Sequence, residues 1–151
     1  MRGQGILLVE DNADDAELTV LAFRKGNVHD VQVVRDGAEA IEFLLGPGTA
    51  NTSQPAVVLL DLKLPKIDGL DVLKRLRSDE RTRYLPVVIL TSSTEGVDLS
   101  RAYQFGANSY IRKPVDFDDL LKAVVHIGKY WLGLNEVVPG KLRPSSHLVI
   151  G

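Results

Sequence analysis

Acidic, hydroxyl and ammonium side chains follow four of the short apolar runs in this sequence. Glu10 and Asp11 come directly after the first run, Asp61 after the third, Thr91 after the fourth and Lys113 just beyond the fifth. Three carboxylates that are brought together repel one another and raise one another's pKa unless a cation neutralises them. Oxygen ligands that leave room for water suit Mg²⁺ best, and Mn²⁺ or Ca²⁺ could replace it in a crystal. These residue types therefore predict a Mg²⁺ site.

A carboxylate beside such a cation can attack phosphorus. With the metal in place, Asp61 stays ionised and can act as a nucleophile, as in enzymes that form an aspartyl phosphate. The transferred group spreads its charge over three outer oxygens, which need electrophilic contacts. We expect the metal to contact one oxygen and Lys113 a second. The Thr91 hydroxyl and backbone N–H groups would contact the third, and the small Ser92 leaves space for the group to enter.

The elements that must position these residues alternate in type along the chain. Five apolar runs predict strands at 6–9, 31–34, 57–60, 87–90 and 109–111. The first, third and fourth runs are continuously apolar, as in central strands of a parallel sheet, whereas the second and fifth are mixed and are expected nearer an edge. Stretches of helical period separate the runs. The fourth helix is expected to end at Gly106, and the fifth to extend from about 116 to 132.

Five strand–helix units in this order predict an α/β domain with a doubly wound parallel sheet, because crossover connections between parallel strands are right-handed. The usual strand order for five units is 2-1-3-4-5, and ligands bind outside the carboxyl ends of the strands. The reactive side chains are therefore expected at one rim. We predict one domain over 1–138, with a polar loop at 46–55 and an extended tail at 139–151.

Composition narrows the function further. The chain has 151 residues, a net charge of −2 and no cysteine. The absence of cysteine excludes a disulfide framework and a thiolate metal site. So small a net charge gives no electrostatic reason to expect nucleic acid or a membrane surface as the main partner. The apolar runs are far shorter than the roughly 20 residues that cross a bilayer. We therefore expect a cytoplasmic protein that binds neither nucleic acid nor membrane directly.

Five stretches resemble the receiver domains of two-component response regulators. They are Leu-Leu-Val-Glu-Asp-Asn at 7–12, Leu-Leu-Asp-Leu-Lys-Leu-Pro-Lys-Ile-Asp-Gly at 59–69, Leu-Thr-Ser at 90–92, Gly-Ala at 106–107 and Tyr-Ile-Arg-Lys-Pro at 110–114. The resemblance covers residues 5 to 132 and places every stretch on the expected strand. It implies the flavodoxin-like (βα)5 receiver fold.

The resemblance also implies roles for the acidic residues. Asp61 matches the phosphoacceptor of the family, and Glu10 and Asp11 match the acidic pair that holds the metal together with Asp61. The backbone carbonyl of Lys63 matches the third protein ligand. A receiver of this kind accepts a phosphoryl group from a sensor histidine kinase. It is a signalling switch, not an enzyme, apart from its own phosphorylation and slow autodephosphorylation.

Further matches concern the switch itself. Thr91 resembles the switch hydroxyl, Tyr110 the switch aromatic and Lys113 the lysine that contacts the phosphoryl group. The peptide bond between Lys113 and Pro114 is expected to be cis, as is usual in the family. On phosphorylation Thr91 is expected to move toward the new charge and Tyr110 to turn inward. The surface of the fourth helix, fifth strand and fifth helix would then change and carry the signal without an attached output domain.

The end of the fifth helix points to a subgroup. Tyr130, Trp131 and Leu132, together with residues 62–66, are similar to single-domain receivers that partner phytochrome-type kinases. The three residues at the helix end are candidates for an interface, and they favour a homodimer through the fourth helix, fifth strand and fifth helix. They could equally close the core of one monomer.

The same residues allow other interpretations. Glu10 and Asp11 could simply cap the next helix, and Lys113 could be a solvated loop lysine. A flavodoxin-like electron carrier would need a Ser/Thr/Gly loop where Glu10 and Asp11 stand, and an aspartyl phosphatase would need a second acid at Lys63. Two further alternatives remain open. One is a phosphorelay intermediate that passes its phosphoryl group to a histidine phosphotransfer protein, and the other is a phosphorylation-independent interaction domain.

Overall fold

The computed structural model describes residues 5–47, 54–114 and 116–136. Within them, five strands and five α-helices alternate along the chain, and a π-helical segment follows the last helix. In chain order they are β1 Ile6–Val9, α1 Ala13–Lys25, β2 Val31–Val34, α2 Gly37–Leu45, β3 Val57–Leu60, α3 Gly69–Ser78, β4 Val87–Thr91, α4 Gly96–Gln104, β5 Ser109–Arg112, α5 Phe117–Gly128 and the π-helical segment Lys129–Leu134. The predicted domain boundary after 138, the tail 139–151 and positions 48–53 of the polar loop lie outside the described residues.

The strands form one parallel sheet in the order β2-β1-β3-β4-β5, which confirms the predicted order. Every residue of β1, β3 and β4 is buried, because these central strands are covered on both faces. The edge strands β2 and β5 are only partly buried. This burial pattern confirms the inference from their mixed composition.

Alternate residues of each central strand face opposite sides of the sheet. Leu7 and Val9 of β1 belong to a core cluster that includes residues of α2 and α3, with Ala102 of α4. Ile6 and Leu8 belong to a second cluster formed with α1 and α5. The two clusters fix the strand register, since a slip of one residue would exchange the two faces of a strand.

Side-chain caps set where three helices begin. Asn12 accepts a hydrogen bond from the backbone N–H of Asp15 at 2.9 Å and starts α1. Asp36 and Asp116 start α2 and α5 in the same way. Each cap satisfies a backbone donor that the first helical turn leaves without a partner. Only three residues therefore separate the end of β1 from the start of α1, and Glu10 and Asp11 are held in this short connection.

Three predicted element ends differ from those in the structure. Strands β4 and β5 each extend one residue further than predicted, because Thr91 and Arg112 are paired in the sheet and the Lys113 N–H donates to the Thr91 carbonyl at 2.8 Å. The fifth α-helix ends at Gly128 rather than 132, and the chain continues as a π-helical segment. Hydrophobic periodicity does not separate these two helix types over one turn, because both bury one side of the helix.

The predicted interface residues lie in this π-helical segment. Trp131 and Leu132 pack against the cluster formed with α1 and α5, whereas Tyr130 is 47% exposed. The rings of Tyr130 and Trp131 meet edge to face, with centroids 4.8 Å apart. The packing supports the alternative in which Trp131 and Leu132 close the core, and the homodimer stays a prediction. In the described ranges, no helix has the length and apolar character needed to span a membrane.

Candidate phosphorylation site

The ladders of the sheet continue just past the strand ends and place two carboxylates side by side. The Glu10 N–H donates to the Val34 carbonyl at 3.0 Å, and the Asp61 N–H donates to the Val9 carbonyl at 3.1 Å. Glu10 and Asp61 therefore emerge from the neighbouring strands β1 and β3 at the same height. Both are buried, with 2% and 7% of their surfaces exposed. The predicted convergence at the carboxyl rim is observed.

Three carboxylates of this rim could bind one metal ion. Oxygen atoms of Glu10, Asp11 and Asp61 all lie within 4.8 Å of one another, and Asp11 opens the cluster to solvent. Burial raises the pKa of Glu10 to about 7, although the hydrogen bond and charge of Lys113 partly oppose the shift. A group that is costly to ionise beside two other carboxylates is one that a divalent cation would stabilise. The residues fit such a cation, because all three offer hard oxygen ligands.

Lys113 places an ammonium group among these carboxylates. Its Nζ atom lies 3.1 Å from Asp61 Oδ2 and 3.2 Å from Asp15 Oδ2, and it also donates to Glu10 Oε1. Burial lowers the pKa of Lys113, but the hydrogen bond to Glu10 and the charges of Asp61 and Glu10 outweigh it and raise the pKa overall. Lys113 therefore stays protonated and holds a positive charge beside Asp61.

Thr91 completes the surroundings of Asp61. Its side chain is fully buried, and its hydroxyl donates to Asp61 Oδ1 at 2.9 Å. The Lys63 N–H approaches the same oxygen at 3.3 Å. One carboxylate therefore contacts an ammonium, a hydroxyl and a backbone N–H within a metal-binding cluster. This arrangement matches the requirements of a nucleophile that must also stabilise a transferred phosphoryl group.

The sequence profile of the response regulator receiver domain matches residues 6–125, which include every residue of this cluster. The chain belongs to the receiver family. Receivers are the signalling partners of histidine kinases, and this chain shares their fold and their acidic cluster.

Three similar proteins support the assignment. The probable methanogenesis regulatory protein FilR2 of Methanothrix harundinacea is 47% identical over 131 residues, which cover 86% of this chain and 84% of FilR2. Response regulator Rcp1 of Synechocystis is 36% identical over 84% of this chain and 88% of Rcp1. Its Mn²⁺-bound crystal structure superimposes with a TM-score of 0.80 at 34% identity, covering 89% of this chain and 98% of that one.

The third is a crystal structure of the phosphorylated cyanobacterial phytochrome response regulator RcpA. It superimposes with a TM-score of 0.83 at 37% identity and covers 91% of this chain and 99% of RcpA. The receiver chain therefore shares its fold over almost its whole length with single-domain phytochrome response regulators.

The two predicted switch residues of the receiver lie on the neighbouring strands β4 and β5. The hydroxyl of Tyr110 is buried and, within the described part of the chain, has no hydrogen-bond partner at bonding distance. Burial raises its pKa, and the nearby Ser93 hydroxyl lowers it only in part. Tyr110 packs against the cluster on the α2–α3 face, and Thr91 already contacts Asp61. The switch role of Thr91 and Tyr110 stays a prediction.

A hydrogen-bonded path leads from Thr91 toward α4. The Ser93 N–H donates to Thr91 Oγ1 at 3.3 Å, and the Ser93 hydroxyl donates to Asp98 Oδ2 at 2.6 Å. Asp98 lies in the first turn of α4, whose outward face exposes Val97 and Tyr103. The surface predicted to change on phosphorylation is therefore connected directly to the phosphoacceptor side of the sheet.

One prediction about the receiver is wrong. The Lys113–Pro114 peptide bond is trans, since the described residues contain no cis peptide bond. The trans form of a bond before proline is favoured by about 0.5–1 kcal/mol, so a local sequence does not impose the cis form. The role of the Lys63 carbonyl as a metal ligand stays a prediction.

Sequence reasoning missed one residue of the site. Asp15 lies in the first turn of α1, where acidic residues are common, yet its carboxylate contacts Lys113 across 98 residues of sequence. Its spacing from Asp11 gives no local signal, because Asp11 precedes the N-cap Asn12 and lies outside the helix. The contact itself depends on the packing of β5 and α1 around the rim.

Proposed function

We propose that this receiver accepts a phosphoryl group on Asp61 from a phytochrome-type sensor histidine kinase, in a reaction that requires Mg²⁺, and transmits the signal by changing shape. The observation that carries the proposal is the surroundings of Asp61. Its Oδ2 lies 3.1 Å from Lys113 Nζ and its Oδ1 accepts from Thr91 at 2.9 Å. The same carboxylate belongs to the cluster that fits a divalent cation.

The reaction follows from the chemistry of these groups. An oxygen of Asp61 attacks the phosphorus of a phosphohistidine, and a new P–O bond forms as the P–N bond breaks. The electron pair of the broken bond and a proton end on the imidazole of the kinase. Bound Mg²⁺ would supply charge neutralisation at the phosphoryl oxygens, with Glu10, Asp11 and Asp61 as its protein ligands.

Two side chains of the receiver would stabilise the product. The Lys113 ammonium, already beside Asp61, can donate to one phosphoryl oxygen, and the Thr91 hydroxyl can donate to another. Charge-assisted hydrogen bonds of this kind are stronger than neutral ones, so they favour the phosphorylated arrangement. Thr91 in turn contacts Ser93, and Ser93 contacts Asp98 of α4. Phosphorylation would then alter the surface of α4, β5 and α5, which is also the proposed homodimer face.

The choice of kinase rests on similarity to other receivers. RcpA and Rcp1 share 37% and 36% of their residues with this chain, and RcpA is a phytochrome response regulator. We place the reaction in the cytoplasm, where the kinase domains of two-component systems act. The receiver would take part only in its own phosphorylation and dephosphorylation, with no catalytic turnover of another substrate.

Intact-mass spectrometry tests the proposal directly. The protein is incubated with acetyl phosphate with and without Mg²⁺, and the wild type is compared with Asp61→Asn. We expect a Mg²⁺-dependent gain of ~80 Da, one phosphoryl group, that is absent from the variant. Asp71→Asn is a matched control, because Asp71 is exposed on α3 and the substitution makes the same change in charge.

The kinase is tested separately by transfer from a phosphorylated phytochrome-type kinase. Faster transfer from that kinase than from a histidine kinase of another class would support the partner. Equal labelling of the wild type and Asp61→Asn, or no labelling by any donor, would contradict the proposed phosphoacceptor.

A further inference from the structure

The ammonium of Lys113 is fully occupied by three different carboxylates. A lysine ammonium has three N–H donors and no acceptor. Lys113 Nζ donates to Glu10, to Asp61 at 3.1 Å and to Asp15 at 3.2 Å. Each donor therefore has its own acceptor, and only 13% of the Lys113 side chain is exposed.

The three acceptors have different chemical roles. Glu10 and Asp61 belong to the cluster that fits a metal, and Asp61 is also the proposed phosphoacceptor. Asp15 lies outside that cluster and is not expected to bind metal or phosphoryl group. When a cation binds Glu10 and Asp61 is phosphorylated, Asp15 would be the one of the three carboxylates whose contact with Lys113 stays unchanged.

Asp15 is itself held in place by hydrogen bonds along the chain. Its N–H donates to Asn12 Oδ1 at 2.9 Å, and the Asn12 N–H donates to Glu10 Oε2 at 3.2 Å. Its carbonyl accepts from the buried Thr19 hydroxyl at 2.8 Å. The bonds from Asn12 to Glu10 and from Asp15 to Asn12, with those from Lys113 to Glu10 and Asp15, form a closed ring of four residues. These bonds hold the backbone of Asp15 at the start of α1, from which its carboxylate reaches Lys113.

We propose that Asp15 is a positioning residue that tethers the Lys113 ammonium beside Asp61, so that Lys113 meets the incoming phosphoryl group without first being reordered. The inference deepens the proposed function and rests on it. Asp15 is not expected to contact the phosphoryl group or the metal ion. It would act through Lys113 alone. Its carboxylate is 45% exposed, so the tether is partly screened by water and its effect is modest.

The first experiment measures the rate of Asp61 phosphorylation by acetyl phosphate at saturating Mg²⁺. We expect Asp15→Ala to slow it roughly two- to five-fold, the range of a partly exposed ion pair. Asp15→Asn, which keeps an acceptor oxygen, should recover most of the rate. Asp14→Ala is the matched control. It removes the same charge from the same helical turn, and in the described ranges Asp14 makes no ion pair with Lys113.

Mg²⁺ affinity provides a readout that separates tethering from a general loss of negative charge. We expect Asp15→Ala and Asp14→Ala to weaken Mg²⁺ binding equally, since neither residue is a ligand. A rate for Asp15→Ala equal to that of Asp14→Ala, or faster than the wild type, would overturn the proposal. A faster rate would show that Asp15 competes with the phosphoryl group for Lys113.

A second experiment needs no phosphorylation. In protein labelled with ¹⁵N-lysine and free of metal, NMR relaxation of the Lys113 ammonium should show greater mobility in Asp15→Ala than in the wild type or Asp14→Ala. Unchanged mobility would overturn the tether. If no donor labels Asp61, the proposed function fails, and the NMR result still decides whether Asp15 holds Lys113.

Discussion

Replacement of Arg77 by methionine should destabilise the fold at the rim opposite the phosphorylation site. Arg77 lies in the last turn of α3, and its guanidinium reaches two loops that precede β4 and β5. In the described structure its five hydrogen bonds all go to oxygens without a formal charge. The acceptors are the carbonyls of Gly106 at 2.9 Å, Leu85 at 2.7 Å, Arg83 at 3.2 Å and Thr82 at 3.3 Å, and Asn108 Oδ1 at 2.8 Å.

The expected loss in the free energy of unfolding can be worked out from the three shortest hydrogen bonds of Arg77. A hydrogen bond to a charged group contributes roughly 1.5–3 kcal/mol, and removing Arg77 loses these bonds, although Asn108 Oδ1 still accepts from the Val87 N–H. Burial lowers the pKa of Arg77, which shows that part of this gain is offset by desolvation of the guanidinium. We therefore expect Arg77→Met to lower the free energy of unfolding by about 3 kcal/mol, the net of these opposing terms. For a domain of this size that is roughly 6–12 °C in Tm.

Urea denaturation followed by circular dichroism measures this change as a shift in midpoint at constant slope. Arg75→Met is the matched control, because Arg75 is exposed on the same helix and should change stability by no more than about 0.5 kcal/mol. The rate of Asp61 phosphorylation should stay unchanged in both variants, since Arg77 lies at the amino ends of the strands. A stability of Arg77→Met within about 0.5 kcal/mol of the wild type would refute the reasoning.

Three further variants test the site. Thr91→Ala removes the hydroxyl that donates to Asp61 and should lower the free energy of unfolding by about 1 kcal/mol in urea denaturation; an unchanged midpoint would contradict the contact. Gly69→Ala would place a Cβ 2.3 Å from the Asp61 carbonyl oxygen, so we expect a lower Tm and weaker Mg²⁺ binding by calorimetry. Gly96→Ala is the control, because its Cβ would meet no atom within 4 Å, and it should leave Mg²⁺ binding unchanged. Tyr110→Phe removes a buried hydroxyl without a bonded partner, so stability should stay equal or rise by up to about 1 kcal/mol, and a clear loss in urea denaturation would show that the hydroxyl has a partner.

The sequence was informative about the sheet because burial leaves a direct mark on composition. Residues 57–60 are continuously apolar, and they form a strand covered on both faces. The mixed run 31–34 forms an edge strand, as its polar Gln32 predicted. Since every strand ends at the same rim, the residues directly after them had to converge, and Glu10, Asp61 and Thr91 do so.

The ends of helices were less predictable. Asn12 and Asp116 cap α1 and α5, which hydrophobic periodicity alone does not predict. The change from α-helix to π-helical geometry after Gly128 was not predicted, because the same apolar residues satisfy both periods. The bond before Pro114 is trans, the form that an X–Pro dipeptide itself favours, and the prediction of a cis bond came from the family resemblance and not from the local sequence.

The sequence by itself therefore determined which residues could do phosphoryl chemistry, and the alternation of strand and helix that brings them to one rim. Tertiary structure alone decided which polar side chains meet, both at that rim and at the opposite one. Lys113 meets Asp15 across 98 residues, and Arg77 meets Asn108 across 31. No local pattern encodes such pairs, because a polar side chain on a helix reads as solvated until another element packs close enough to become its hydrogen-bond partner.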